Sequence, residues 1–394
     1  CANNASVYLN GSVTTAGGGQ WSGGLGTFLP NVNTLNAVYT PTSAEMSAGT
    51  LSLTLTTTTN GNCNSVNDLM SIVITPAPVV DAGSDLTSCV NNPTIALSGT
   101  VANAGGGQWL GGAGTYNPGP NFLNATYTPS AAEIAAGSVI LTLISTSNGN
   151  CNFVSDQVLA TVNPQPIVNA GIDQTLCANN SNATLTGVVT NATGGTWSGG
   201  SGTFTPSNSS LNAVYHPTAI EISTGSVILT LTSTGNGFCL PVSDNMTLNF
   251  TPAPIIDAGL DKSVCYNNPV VALSGSLTVA SGCFWSGGSG SYSPNSSSLI
   301  TNYTPTPTEL SNGTITLTLT STGNGNCTPV SDAIVINVVP SPLVSAGSDK
   351  AACINNSAVL ITGSVSNAGG GVWTGGNGNY NPGNNSTSIT YSPT

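Results

Sequence analysis

The chain has 394 residues, of which 4% are charged against about 25% in ordinary soluble domains, so most of the side chains that enzymes use are scarce. Two Lys, no Arg and 14 acids give a formal net charge of −12, which excludes a nucleic-acid partner, because phosphate backbones are held by clustered cations. Apolar residues make up 39% of the chain, enough for packed cores, yet no run of 18 is present to span a membrane as a helix.

Cys1, Cys89, Cys177, Cys265 and Cys353 recur every 88 residues, and Trp21, Trp109, Trp197, Trp285 and Trp373 keep the same interval. So do Tyr39, Tyr127, Tyr215, Tyr303 and Tyr391. A unit of 88 residues can bury its own core, so each repeat is expected to be a domain and not one layer of a solenoid. Pro-x-Pro pairs (Pro76 and Pro78, Pro164 and Pro166, Pro252 and Pro254, Pro340 and Pro342) mark short extended connectors, since proline fixes φ and lacks a donor. The expected domains are residues 1–75, lacking an opening strand, then 76–163, 164–251 and 252–339, with a partial unit at 340–394. The chain reads as a window on a longer periodic protein, with any export signal outside it.

In chain order, the connector of the second unit is followed by Asp81-Ala82-Gly83-Ser84-Asp85, a segment of turn-forming residues. Thr94–Gly99 reads as a strand. Gly105-Gly106-Gly107-Gln108-Trp109 follows, and Gly111-Gly112 is expected to turn the chain toward Thr115-Tyr116 in a tight hairpin. Asn124–Thr128 is a strand ended by Pro129. Ser130 with Glu133 forms a capping box, repeated as Thr42 with Glu45, Thr218 with Glu221 and Thr306 with Glu309, and Gly137 should stop the helix after about one turn. Val139, Leu141 and Leu143 alternate along a strand with one aliphatic face, and Asn148-Gly149 signals a type I′ turn into the last strand. Roughly seven short strands and a single helical turn describe an all-β, Ig-like β-sandwich repeated in tandem.

Each full unit holds two recurring cysteines: Cys1 and Cys63, Cys89 and Cys151, Cys177 and Cys239, Cys265 and Cys327. Pairing within each unit, with Trp109 packed on the disulfide in the inter-sheet core, matches the Ig arrangement, although Trp109 lies further from Cys89 than in antibody domains. A competing register joins Cys63 to Cys89 across the connector. Zinc is not expected, because the pairs lack CxxC or His neighbours. Regular cysteine pairs imply an oxidising compartment. Cys283 stands where other units have Gly and reads as a buried free thiol.

Catalytic residues are not expected. His216 fills a slot that is Thr in the other units, and no Ser-His-Asp set can be assembled around it. The Glu set is accounted for by the capping boxes. Asp81, Asp85 and Asp156 are the calcium candidates at a junction, but they read better as turn caps, with Asn169 and Ser345 in the place of Asp81 elsewhere. Gly-Gly-Gly-x-Trp is no phosphate cradle without Lys and a helix. No cofactor is expected.

The run Asn169-Ala170-Gly171-Ile172-Asp173-Gln174-Thr175 resembles the start of polycystic-kidney-disease-type Ig-like repeats. The fuller series of Gly-Gly-x-Trp-x-Gly-Gly, Tyr-x-Pro-Thr-x-x-Glu-Ile, Leu-Thr-Leu-Thr and Gly-Asn-Cys is similar to tandem repeats of large Bacteroidota cell-surface proteins, gliding-motility adhesins among them. The resemblance implies a long surface stalk or filament with adhesive parts elsewhere and no active site. The expectation is therefore an extracellular, cell-surface structural repeat protein, the rod of an adhesin or filament. Its partners would be neighbouring repeats, other copies in a filament, or surface glycans; an array of carbohydrate-binding modules is the alternative.

Overall fold

A computed structural model describes all 394 residues, as a string of small sheets whose only helices are four of six residues each. In residues 76–163, strand Gly106–Leu110 pairs with Ser138–Thr146, which pairs in turn with Ser155–Asn163. Strand Leu86–Cys89 completes this four-stranded sheet by running parallel to the end of Ser155–Asn163. Facing it are Thr115–Asn117, Thr126–Thr128 and Ile95–Ala96 in one sheet, and Val79–Asp81 with Thr100–Ala102 in another. Residues 164–251 and 252–339 repeat this arrangement. The chain is thus a tandem array of Ig-like β-sandwiches.

The core follows from period-two alternation in the long hairpin, which sends Leu141, Leu143, Val158 and Ala160 inward. They meet Trp109, and Ile95, Leu97 and Tyr127 close the core from the facing sheet. Trp109 is 1% exposed, and its indole N–H donates to the Leu123 carbonyl at 3.2 Å. Its ring lies over Gly99, where an added Cβ would come within 2.9 Å of Trp109 and 2.5 Å of Leu143. Residues 340–394 contain no counterpart of the long hairpin. There the Trp373 segment forms no strand and its ring is only half-buried, so the Trp strand depends on that partner.

Two turn expectations are corrected. Trp109-Leu110-Gly111-Gly112 does not make a hairpin with Thr115-Tyr116; it carries the chain from one sheet to the other, and Thr115–Asn117 pairs with Thr126–Thr128 instead. Gly111 (φ 89°) and Gly112 (φ 71°) allow the crossing, and a Cβ on Gly112 would collide with the Tyr127 hydroxyl. Nor is Asn148-Gly149 a type I′ turn: Ser147 (φ 56°) and Gly149 (φ 59°) are left-handed, but Asn148 is not. The long hairpin closes instead through residues 147–154, a loop that carries Cys151 at its tip.

The parallel strand also sets where the cysteines stand. Cys177 pairs with Thr251 at the far end of Ser243–Thr251, whereas Cys239 lies in the loop before that strand begins. Nine strand residues separate the two poles by about 30 Å, and a disulfide requires Cα atoms within about 7 Å. Neither expected register is therefore formed. None of the pairs Cys1–Cys63, Cys89–Cys151, Cys177–Cys239 and Cys265–Cys327 forms, and Cys63 does not bond Cys89. The pairs are Cys1–Cys151, Cys89–Cys239 and Cys177–Cys327, each spanning 150 residues with Cα atoms 4.9 to 5.0 Å apart.

Candidate functional site

The side chains singled out in the sequence fall into two groups, those spent inside a unit and those gathered at the joints between units. Among the first, the capping boxes form in all four helices, with a left-handed Gly at each C-terminus. The glutamate does more than cap. In the third unit Glu221 Oε2 accepts from the Thr218 amide at 2.7 Å and its hydroxyl at 3.0 Å, while Oε1 accepts from the Ser201 amide and the Tyr215 hydroxyl, both at 2.7 Å. Tyr215 in turn accepts from the Gly202 amide at 2.9 Å. The carboxylate thus ties the recurring Tyr, the helix and the Gly-Gly crossing into one network, a link that the capping motif alone does not reveal. Burial works to raise the pKa of Glu221, but these four donors outweigh it and hold the group at about 2, against an ordinary 4.5. Burial, with the bond to Glu221, pushes Tyr215 up to about 12.

His216 faces Asn182 Oδ1 at 3.0 Å on the surface, where the equivalent residues Thr40 and Thr128 meet Ser6 and Thr94 through hydroxyls. It replaces one cross-strand polar pair with another. Cys283 is buried in the fourth core, and burial pushes its thiol up.

The calcium candidates each accept a backbone amide within their own unit. Asp156 takes the Ala82 N–H at 2.8 Å, Asp81 the Gly83 N–H at 2.8 Å, and Asp85 the Leu159 N–H at 3.0 Å. Asn169 and Ser345, in the place of Asp81, accept the Gly171 and Gly347 amides in the same way. One acceptor atom two residues before the Gly is all the turn requires, which is why Asp, Asn and Ser interchange there. No group of three or more His, Cys, Asp or Glu side chains is placed to hold a metal ion.

The second group lies where consecutive units meet. At the second joint, Cys89 at the trailing pole of one unit bonds Cys239 in the leading loop of the next, and the Cys239 sulfur lies 3.5 Å from the Pro164 carbonyl oxygen of the connector. Beside the disulfide, Asn91 Nδ2 donates to the Leu240 carbonyl and Asn91 Oδ1 accepts from the Leu240 amide, both at 3.0 Å. Asn3 grips Asn152 at the first joint, and Asn179 grips Thr328 at the third. Side-chain amides of Asn103 and Asn191 also hold the central carbonyls of their connectors, Ala77 and Gln165, each at 3.0 Å. Successive units are therefore joined by the peptide, a disulfide and a two-bond amide clasp at all three joints, and the peptide itself is braced at the first two, the third having Val279 in the place of the bracing Asn.

Sequence reading missed the clasp, although its signal was present: Cys-x-Asn recurs at Cys1, Cys89, Cys177, Cys265 and Cys353. The gripped residue varies (Asn152, Leu240, Thr328) because only its backbone is used. Cys63 and Cys353 are exposed and unpaired, and Cys265 is half-buried and unpaired. Peptide mapping under non-reducing conditions should recover Cys1 with Cys151 and Cys89 with Cys239. A peptide joining Cys1 to Cys63 or Cys89 to Cys151 would refute the placement of cysteines at opposite poles.

No family model matches the chain and no curated protein does. Solved structures that it resembles include the protocadherin gammaB7 EC3-6 cis-dimer, at 12% identity over 82% of this chain and 94% of that one, with a TM-score of 0.31. Sidekick-1 immunoglobulin domains 1–5 match at 10% identity over 86% and 78%, with a TM-score of 0.30. The human desmocollin-1 ectodomain matches at 10% identity over 96% and 86%, with a TM-score of 0.29. At these values they establish neither a family nor a function for the chain.

Proposed function

We propose that the chain is the rod of an extracellular adhesin or filament, built from units bounded at the Pro-x-Pro connectors, and that its role is to hold a fixed reach. One observation carries this reading: each of the three joints among the first four units is bridged by a disulfide and an asparagine clasp besides the peptide itself. Flexible strings of domains need no such bracing, since interfaces between domains of one chain are ordinarily small and permit relative motion. Disulfides across joints also favour an oxidising location outside the cytoplasm. The motif order that resembles large Bacteroidota surface proteins supports a cell-surface stalk of the gliding-adhesin kind.

The alternative, an array of carbohydrate-binding modules, draws no support from the recurring aromatics. Trp109, Trp197 and Trp285 and their tyrosine companions are enclosed in the cores, so they present no platform to a sugar ring. Electron microscopy of the oxidised 394-residue protein should show straight particles of uniform length. Strings with variable bends at the joints would overturn the rod, and binding across a glycan array would revive the alternative.

A further inference from the structure

The disulfides cross the joints in an interleaved order, and the order determines how tension travels. From Cys1 a covalent route passes through the bond to Cys151, along the chain to Cys177, and through the next bond to Cys327. A second route runs from Cys63 along the chain to Cys89, through the bond to Cys239, and along the chain to Cys265. At each of the three joints one route crosses as peptide while the other crosses as disulfide.

The peptide parts of these routes are almost straight. Between Cys151 and Cys177 the chain runs the length of one sandwich in strand Ser155–Asn163, then through the connector at residues 164–166. It continues in the same direction through Ile167–Asn169 and Gln174–Cys177, the latter parallel to the final strand of the next sandwich. About 26 peptide links thus cover two sandwiches and a joint, and such a segment can reach at most about 90 Å when fully extended. Strand geometry already uses on the order of 75 Å of that. Pairing within units would place the same number of links across a single sandwich, leaving roughly half of the contour slack.

We propose that the two interleaved routes make the array a nearly inextensible tie, in which pulling force passes through extended strands and disulfides and the sandwich cores carry almost none of it. An ordinary chain of sandwiches lengthens under load by unfolding one domain after another. Here the residues between Cys1 and Cys151, or between Cys177 and Cys327, are shunted out of the load path and cannot be drawn out while the bonds hold. This inference goes beyond the rod reading and rests on the pairing alone, so it stands or falls independently of any role in adhesion.

The test is single-molecule stretching of the full 394-residue protein, held at its two ends with the unpaired thiols blocked, before and after reduction. When oxidised, only residues 151–177 and 327–394 lie on the shortest route, so the contour should saturate at about 330 Å. Reduction should raise the contour to about 1,400 Å, roughly four times the oxidised value, with successive unfolding of the units. An oxidised contour of about 500 Å would mean pairing within units and would overturn the proposal. Equal contours before and after reduction would overturn it as well.

Discussion

Trp109→Ala should destabilise its unit by about 3–5 kcal/mol, the range for large aromatic truncations in packed cores. The indole is 1% exposed and rests on Gly99 and Leu143, and both the Gly and the hairpin lack the means to collapse into the space. Gly99 has no side chain to move, and Leu143 is fixed by its pairing with Trp109 across the two strands. Calorimetry on the whole chain should show one transition moved to lower temperature while those of the cores around Trp197 and Trp285 stay nearly in place. Trp109→Phe should recover part of the loss. A variant that melts like the parent would mean that the ring contributes little to the core, and the recurring Trp would then need a role at the surface.

Glu221→Gln should cost on the order of 3 kcal/mol, because a carboxylate facing four donors cannot be replaced by a group that is itself half donor. The amide could serve the Ser201 N–H and Tyr215 with its oxygen, but its NH2 would then face the Thr218 amide and hydroxyl. The same network predicts a pH dependence. The folded-state pKa is depressed to about 2 from 4.5, so the stabilisation is complete above pH 4.5 and is lost as pH falls toward 2. Glu45 and Glu309 are also held at about 2, so units one and four should soften in the same window. Melting temperatures are expected to be flat from pH 8 to 5 and then to drop, with a smaller drop in Glu221→Gln for its own unit. A parent melting curve unchanged down to pH 2 would show that the carboxylates are not ionised in the fold.

Much of this architecture was legible because it is local. A Ser or Thr three residues before Glu, a Gly where φ must be positive, and alternating Leu in Ser138–Thr146 each report on their own neighbourhood. The burial of Trp109 could be inferred from its regular recurrence. What escaped the sequence is long-range. Nothing in Leu86–Cys89 says that it will leave the sheet of Val79–Asp81 and lie parallel to residues 160–163, yet that choice places Cys89 and Cys151 at opposite poles. The spacing of 62 residues suggested a loop closed within one unit, and the arithmetic gave no sign that the closure runs to the next. The Gly-Gly crossing was misread for a similar reason, since a turn within a sheet and a passage between sheets make the same demand on φ. The asparagine clasp was hidden because it reads backbone, so the partner position shows no matching side chain.

The placement of cysteines at opposite poles also constrains the order of events when the protein is made. As the chain emerges, Cys63 and Cys89 both appear before Cys151, so Cys1 meets two wrong thiols before its proper one. An unfolded segment would join neighbours in sequence, because short loops close more readily than long ones. Folding of the first unit removes the nearest error by carrying Cys63 about 30 Å from Cys1. The correct bond must then wait for the second unit to fold and dock its leading loop at the joint. Closure therefore advances one unit behind folding, each sandwich being sealed only when its successor has folded, and an oxidant acting faster than folding would scramble the array.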